Sequence, residues 1–267
     1  MELDHAHFST HRDLGIPVLA THVPYSSLPT SIIDSGCKIV YICRDPKDTL
    51  VTLYHFNVHI QTSQNTQAQL PELDEAFEFV CKGESLCGPY WDHVLGYWKA
   101  SLEHPDKIFF LKYEEMKADT VLHINKLAEF IGYPFSSEEQ QKGVAEKIVK
   151  ICSFENLSNL EVNKSEKVVI GVVQNKMCFR KGKVGDWKNY MTPEMAARLD
   201  QIIQQKLSDG SCSPKFLMVD DGRRDTANEF RKEEEPIIEG TQLVDVRENS
   251  KFKSLESDAM ITMNSST

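Results

Sequence analysis

The clearest change of pattern along the chain is at residues 38–56, KIVYICRDPKDTLVTLYHF, where a β-branched apolar run stops at a charged turn and resumes with helical periodicity. Residues 38–43 read as a buried strand and residues 46 to about 59 as a helix. Asp45 suits the N-cap, Pro46 the first helical position, and Asp48 completes a capping arrangement. A second such unit follows at 107–113 (KIFFLKY), where the charged EEMKAD leads into the amphipathic VLHINKLAEFIG, stopped at Gly132. Between the two units, 73–83 and 90–104 are helix-periodic. Trp91, Leu95 and Trp98 share one face of the latter, an aromatic stripe that reads as core packing.

Upstream, residues 16–29 hold a short strand that stops at Thr21-His22 before two prolines. The Gln, Thr, Ser and Asn-rich stretch at 61–71 reads as a surface loop. Residues 137–151 read as one charged helix with a capped start at Ser136/Ser137 and Glu138/Glu139, and CSFENLSNLEVNK after it as irregular. Thr192-Pro193 starts a helix over TPEMAARLDQIIQQKL. Strands alternating with helices imply a parallel sheet, whose ligands bind beyond the strand C-terminal ends. Those ends carry Thr21-His22, Arg44 and Tyr113, so three candidate residues are expected on one rim.

Composition bounds the class. With 267 residues, 40% of them hydrophobic, the chain can bury a core. A net charge of −10 argues against broad nucleic-acid binding but permits a local basic pocket. Seven cysteines without a C-x-x-C pair fit reduced thiols better than a disulfide framework or a metal site. Without an apolar leader or a run of eighteen apolar residues, the expected location is cytoplasmic, with no membrane partner. Residues 209–267 carry thirteen acidic and eight basic side chains with lost periodicity, and are expected to be a mostly disordered tail. Residues 1–15, with His5, His7 and His11, are expected to be a flexible terminus rather than a metal site. That leaves 16–208 as the folded domain.

The chemistry centres on anion binding. The free N–H groups at the start of the helix after Arg44 and its positive end face whatever Arg44 faces, which suits a phosphate; pairing of Arg44 with a carboxylate is the simpler alternative. In FRKGKVGDWKN, 179–189, two glycines bracket a basic turn that can bring backbone N–H groups and an arginine fork to an anion, although a plain surface loop has the same composition. His22 at a strand end is open between a structural and a chemical role.

Four stretches together, ATHVPYSSLP, KIVYICRDPKDTLVTLYHF, FFLKYEEMKAD and FRKGKVGDWKNYMTPEMAARLD, resemble the cytosolic sulfotransferases that use 3′-phosphoadenosine-5′-phosphosulfate (PAPS). CSFENLSNLEVNK resembles their plant, flavonol-sulfotransferase-like branch. The resemblance covers about residues 16–208 and implies a three-layer α/β/α domain around a parallel sheet. It implies His22 as catalytic base, Arg44 and Thr52 (often serine in the family) as binders of the nucleotide 3′-phosphate, and Tyr113 as an adenine-side contact. Arg180, Lys181 and Gly182 match the turn that closes on the same phosphate, and Cys152 falls where a further nucleotide contact is expected. The implied reaction is sulfuryl transfer from PAPS, without a metal, to a hydroxyl of a small phenolic, flavonoid or steroid-like acceptor. Like phosphoryl transfer, it needs positioning, charge stabilisation and removal of one proton, for which histidine, with a reference pKa of about 6.5, is suited.

Family members begin with a strand and a Tyr-Pro-Lys-x-Gly-Thr-Thr-Trp type loop that holds the 5′-phosphosulfate. In the first thirty-five residues here the only glycine is Gly15, no lysine precedes Lys38, and no Walker-type loop occurs elsewhere. The expectation is therefore impaired activity. The alternative is a non-catalytic remnant that binds adenosine 3′,5′-bisphosphate or an apolar acceptor; a kinase or NTPase is disfavoured.

Overall fold

The computed structural model describes residues 7–9, 18–64, 71–85, 87–164, 168–170 and 173–209. Strands β1 (His7–Ser9) and β2 (Val18–Ala20) pair antiparallel with Phe8 opposite Leu19, so the stretch read from sequence as a flexible terminus contains one paired strand. His5 and His11 lie outside the described residues. After the short helix α1 (Thr30–Asp34) comes β3 (Ile39–Cys43), which feeds α2 (Pro46–Gln64) through the Arg44–Asp45 turn. Asp45 caps α2 as expected, its Oδ1 accepting the Lys47 N–H at 2.8 Å. The helix runs one turn further than the polar composition of 61–64 suggests. Thr62 and Ser63 donate their hydroxyls back to the Val58 and Ile60 carbonyls, so these side chains accompany the helix instead of ending it. The rest of the expected loop lies outside the described residues up to residue 70.

Helices α3 (Leu73–Lys82) and α4 (Tyr90–Glu103) precede β4 (Ile108–Lys112), which pairs parallel with β3 from Ile39–Ile108 to Cys43–Lys112. This is the expected strand–helix–strand crossover. β4 runs directly into α5 (Tyr113–Ala118) and α6 (Thr120–Ile131), the latter closed by Gly132 in the left-handed conformation. The single helix expected at 137–151 is two, α7 (Ser137–Gln141) and α8 (Val144–Ile151). Gly143, at φ +61°, takes a left-handed conformation between them that a side chain would resist. The capping box at the start of α7 is present, Ser136 with Glu139.

The stretch read as irregular instead forms α9 (Phe154–Asn159) and α10 (Glu161–Lys164). Ser153 nucleates α9 by accepting the Asn156 N–H, a cap whose signal is one residue long. A hairpin of β5 (Val168–Ile170) and β6 (Val173–Gln174) leads through two short 3₁₀ turns to α11 (Pro193–Asp209), where Thr192 accepts the Met195 N–H. Among the described residues the strands form three two-stranded sheets.

The core lies where α2, α3, α4 and α11 meet. Leu199, Ile203 and Leu207, spaced by four along α11, press against Leu50 and Val51 of α2, Phe77 of α3, and Trp91 and Leu95 of α4. Trp91 and Leu95 of the stripe are buried, with Trp98 packed beside them. The expected tail, 210–267, lies outside the described residues.

Candidate active site

β3 and β4 end side by side, and their last residues bring the first candidates together. Glu114 Oε1 accepts the Asp45 N–H at 2.9 Å, tying the start of α5 to the turn after β3. The Arg44 guanidinium stands over the Tyr113 ring, 5.0 Å from its centroid. Arg44 Nη1 donates to Thr52 Oγ1 at 3.1 Å and Nη2 to the Lys183 carbonyl at 2.9 Å, joining α2 to a loop 139 residues away. From that loop, Arg180 Nη2 reaches the same Thr52 oxygen at 3.4 Å. Thr52 Oγ1 thus accepts from two arginines, and its own hydrogen is directed elsewhere.

The simpler reading of Arg44, pairing with a carboxylate, is met, and it leaves a donor of the same side chain unused. Its Nη2 is 3.5 Å from Asp48 Oδ2, one helical turn on, so it does pair with a carboxylate. Its Nε is nevertheless buried, and among the described residues it has no hydrogen-bond partner; the same is true of Arg180 Nε. A buried N–H is rarely left unpaired unless a ligand, water or ion supplies the acceptor. Two such donors, the second from a loop that also touches Thr52, fit a bound anion.

The loop is held by carboxylates whose part in the site sequence reasoning missed. Asp48, fully buried, accepts the Gly185 N–H at 2.7 Å and the Trp187 N–H at 3.0 Å. Asp186 accepts from Arg180 at 2.5 Å, from Lys181 at 3.0 Å and from Asn189 at 2.9 Å. Burial alone would raise the Asp186 pKa, but the bonds from Lys181, Arg180 and Asn189 outweigh it and hold it down at about 2. Lys181 also donates to the Tyr190 hydroxyl at 3.1 Å. Gly182, at φ +61°, lies so close to Phe154 of α9 that a Cβ there would fall 2.5 Å from the ring. His55, one turn beyond Thr52, packs edge-on against Tyr190. Its pKa is lowered by burial and then by Arg180.

Six of the seven candidate residues, Arg44, Thr52, Tyr113, Arg180, Lys181 and Gly182, therefore lie on one contiguous contact network. His22 reaches the region differently from expectation. Among the described residues the strand before it, β2, pairs with β1 and not with the parallel pair, so no shared rim places it. It is secured through α4: His93 Nε2 contacts the His22 carbonyl at 3.1 Å, while Tyr90 of the same helix donates its hydroxyl to the Arg44 carbonyl at 2.7 Å. Cys152 ends α8, exposed, next to the Ser153 cap.

Comparison with known proteins extends this geometry. The family model described as the sulfotransferase domain matches residues 6–211. Cytosolic sulfotransferase 16 of Arabidopsis thaliana is 51% identical over 215 residues, 78% of this chain and 63% of its own length. Flavonol 4′-sulfotransferase of Flaveria chlorifolia is 53% identical over 191 residues, 71% and 59% of the two chains. The structure of mouse sulfotransferase SULT7A1 complexed with PAP superposes with a TM-score of 0.59 at 30% identity, over 73% of this chain and 68% of the other. The chain spans about three-fifths of the length of the curated relatives it matches.

Proposed function

Because the chain belongs to the sulfotransferase family, we propose that its site serves sulfuryl transfer from PAPS to a hydroxyl of a small phenolic, flavonoid or steroid-like molecule in the cytoplasm. The observation that carries the nucleotide part of this reading is the pair of buried Nε donors of Arg44 and Arg180 on either side of Thr52, which have no hydrogen-bond partner among the described residues.

These groups suit the 3′-phosphate. Each arginine offers Nε–H from a planar fork, a geometry that matches two phosphate oxygens. Thr52, whose oxygen already accepts twice, can give its remaining hydrogen to a third. The Gly182 backbone and Lys181 lie on the same turn, and Tyr113 presents an aromatic face beside Arg44 on which an adenine can rest. PAPS, when bound, supplies the sulfuryl group. His22 would take the proton from the acceptor hydroxyl, sharpening its oxygen as a nucleophile. The arginines grip the nucleotide end, so their part is affinity and placement. The phenolic acceptor class is proposed from the flavonol sulfotransferase of F. chlorifolia among the relatives.

Calorimetry and a transfer assay on the full chain test this. Adenosine 3′,5′-bisphosphate should bind, adenosine 5′-phosphate should bind at least tenfold more weakly, and Arg44→Ala should erase the difference. Labelled sulfate should pass from PAPS to a flavonol or steroid, with His22→Ala abolishing turnover and leaving bisphosphate affinity intact. Equal binding of the two nucleotides overturns the nucleotide assignment. Binding without transfer to any acceptor overturns the enzymatic one.

A further inference from the structure

One face of α4 carries Tyr90, His93 and Tyr97, spaced by three and four, and each contacts a main-chain carbonyl of another segment. Tyr90 takes that of Arg44, at the anion cluster. His93 and Tyr97 take those of His22 and Val23, at 3.1 and 2.8 Å. A carbonyl oxygen has no hydrogen to give, so His93 Nε2 must carry the proton. In the neutral ring Nδ1 is then an acceptor, and the Tyr41 hydroxyl lies 2.9 Å from it. The Tyr41 phenol is kept protonated. Burial, then Cys43 and Tyr97 beside it, push its pKa well above the ordinary value. The Tyr41 ring is in turn stacked on Tyr97 at 4.2 Å and 12°. Tyr97 is wedged edge-on by Tyr25, and burial and then Tyr25 push its own hydroxyl up to about 12, so it too is a permanent donor.

We propose that His93, set in one tautomer by Tyr41, and Tyr97 are positioning residues that hold the main chain of the base His22 at a fixed place relative to the nucleotide site. This rests on the reading of His22 as the base. Two consecutive carbonyls anchored to one helix face leave the His22–Val23 peptide little freedom. Because Tyr90 of that same face holds Arg44, α4 acts as a common ruler between the base and the anion cluster. Displacement of a reacting group by about 1 Å can cost about 10²-fold in rate.

The test combines kinetics with a readout independent of turnover. His93→Phe and Tyr97→Phe should each lower kcat by about 10- to 100-fold while the acceptor KM and the adenosine 3′,5′-bisphosphate Kd stay within about threefold. His93→Gln, which can still offer an N–H to the His22 carbonyl, should recover most of the rate. Tyr41→Phe added to His93→Phe should cost nothing further, since the substitution keeps the ring stacked on Tyr97 and the Tyr41 hydroxyl acts through His93. By ¹⁵N relaxation, the His22 and Val23 order parameters should be near the rigid value of ~0.85 in the wild type and fall toward ~0.6 in the His93→Phe/Tyr97→Phe pair. Nitrogen shifts should report the Nε2–H tautomer of His93.

Unchanged order parameters, the opposite tautomer, or kcat per folded molecule unaffected in both single variants would overturn the proposal. Full turnover in His22→Ala instead overturns the reading of the base. Absence of wild-type turnover with the expected relaxation and tautomer results counts against the enzymatic reading while supporting the clamp.

Discussion

The carboxylate of Asp48 accepts the backbone N–H of Gly185 from 137 residues away, at 2.7 Å, and this bond joins the Arg44 and Arg180 sides of the arginine cluster. Asp48 stands in the first turn of α2; its Oδ1 takes the Trp187 N–H and its Oδ2 lies 3.5 Å from Arg44. One buried side chain therefore seats the 180–187 loop and orients the arginine opposite it.

Asp48→Ala should unseat that loop. Breaking a buried charged contact by removing one partner costs about 3–5 kcal/mol, and the free Arg44 fork should swing. Bisphosphate affinity should fall at least tenfold, with a lowered denaturant midpoint. Asp48→Asn, which keeps one acceptor oxygen, should lie between. Calorimetry and urea unfolding on the same samples check both.

Replacing arginine by lysine at 44 or 180 keeps the charge and removes the fork. If a phosphate is gripped by Nε–H together with a terminal N–H, each lysine variant should bind adenosine 3′,5′-bisphosphate about tenfold or more weakly, a loss of about 1.4 kcal/mol or more. The effect should be smaller on nucleotides without the 3′-phosphate. Parallel titrations with the two nucleotides measure it.

Acid should loosen the loop at a defined point. The folded-state pKa of Asp186 is depressed to about 2, against about 3.9 for an unperturbed aspartate. A depressed carboxylate contributes stability that is complete above the unfolded value and is lost as the pH falls through the folded one. The contribution should thus be constant above about pH 5 and disappear between about pH 4 and 2. Asp45 and Glu114 act oppositely, since burial, the largest influence on each, pushes their pKa values up and protonation relieves its cost. The difference in unfolding midpoint between wild type and Asp186→Asn, followed from pH 6 to pH 2, should therefore shrink at the acid end.

Gly182→Ala faces two obstacles: a left-handed φ, and a Cβ 2.5 Å from Phe154. The first costs about 1–2 kcal/mol, and the second forces the ring or the turn to move. Thermal unfolding should show a loss of stability, and nucleotide affinity should drop. Adding Phe154→Leu should recover the steric part alone, leaving the backbone cost.

What sequence could and could not disclose follows from the range of each interaction. The β3–α2 and β4 units were legible because apolar runs, a proline at the first helical position and an Asp cap are local signals, and the motif resemblance placed Arg44, Thr52 and Arg180 in one site. Asp48 was read only as part of a helix cap. Its other partners lie 137 and 139 residues downstream, where no periodicity points. The break at Gly143 was missed because a single glycine between amphipathic stretches leaves the apolar spacing intact. His93 and Tyr97 were hidden by Trp91, Leu95 and Trp98 on the same helix, whose stripe drew the reading to the core face while the polar tips on another face found main-chain partners.

The internal pairing of the anion cluster has an electrical consequence. Arg44, Arg180 and Lys181 face the carboxylates of Asp48 and Asp186, so the five groups together carry about one positive charge on a chain of net charge −10. Beyond a Debye length, about 10 Å at 0.1 M salt, such a site exerts almost no pull, and the surrounding chain repels a polyanion. The nucleotide proposed for this site would not be steered in from solution. It would be recognised only on arrival, when two Nε–H groups find oxygens to meet, so added salt should modestly speed docking by screening the chain's repulsion, and discrimination among nucleotides should reside in how slowly the right one leaves.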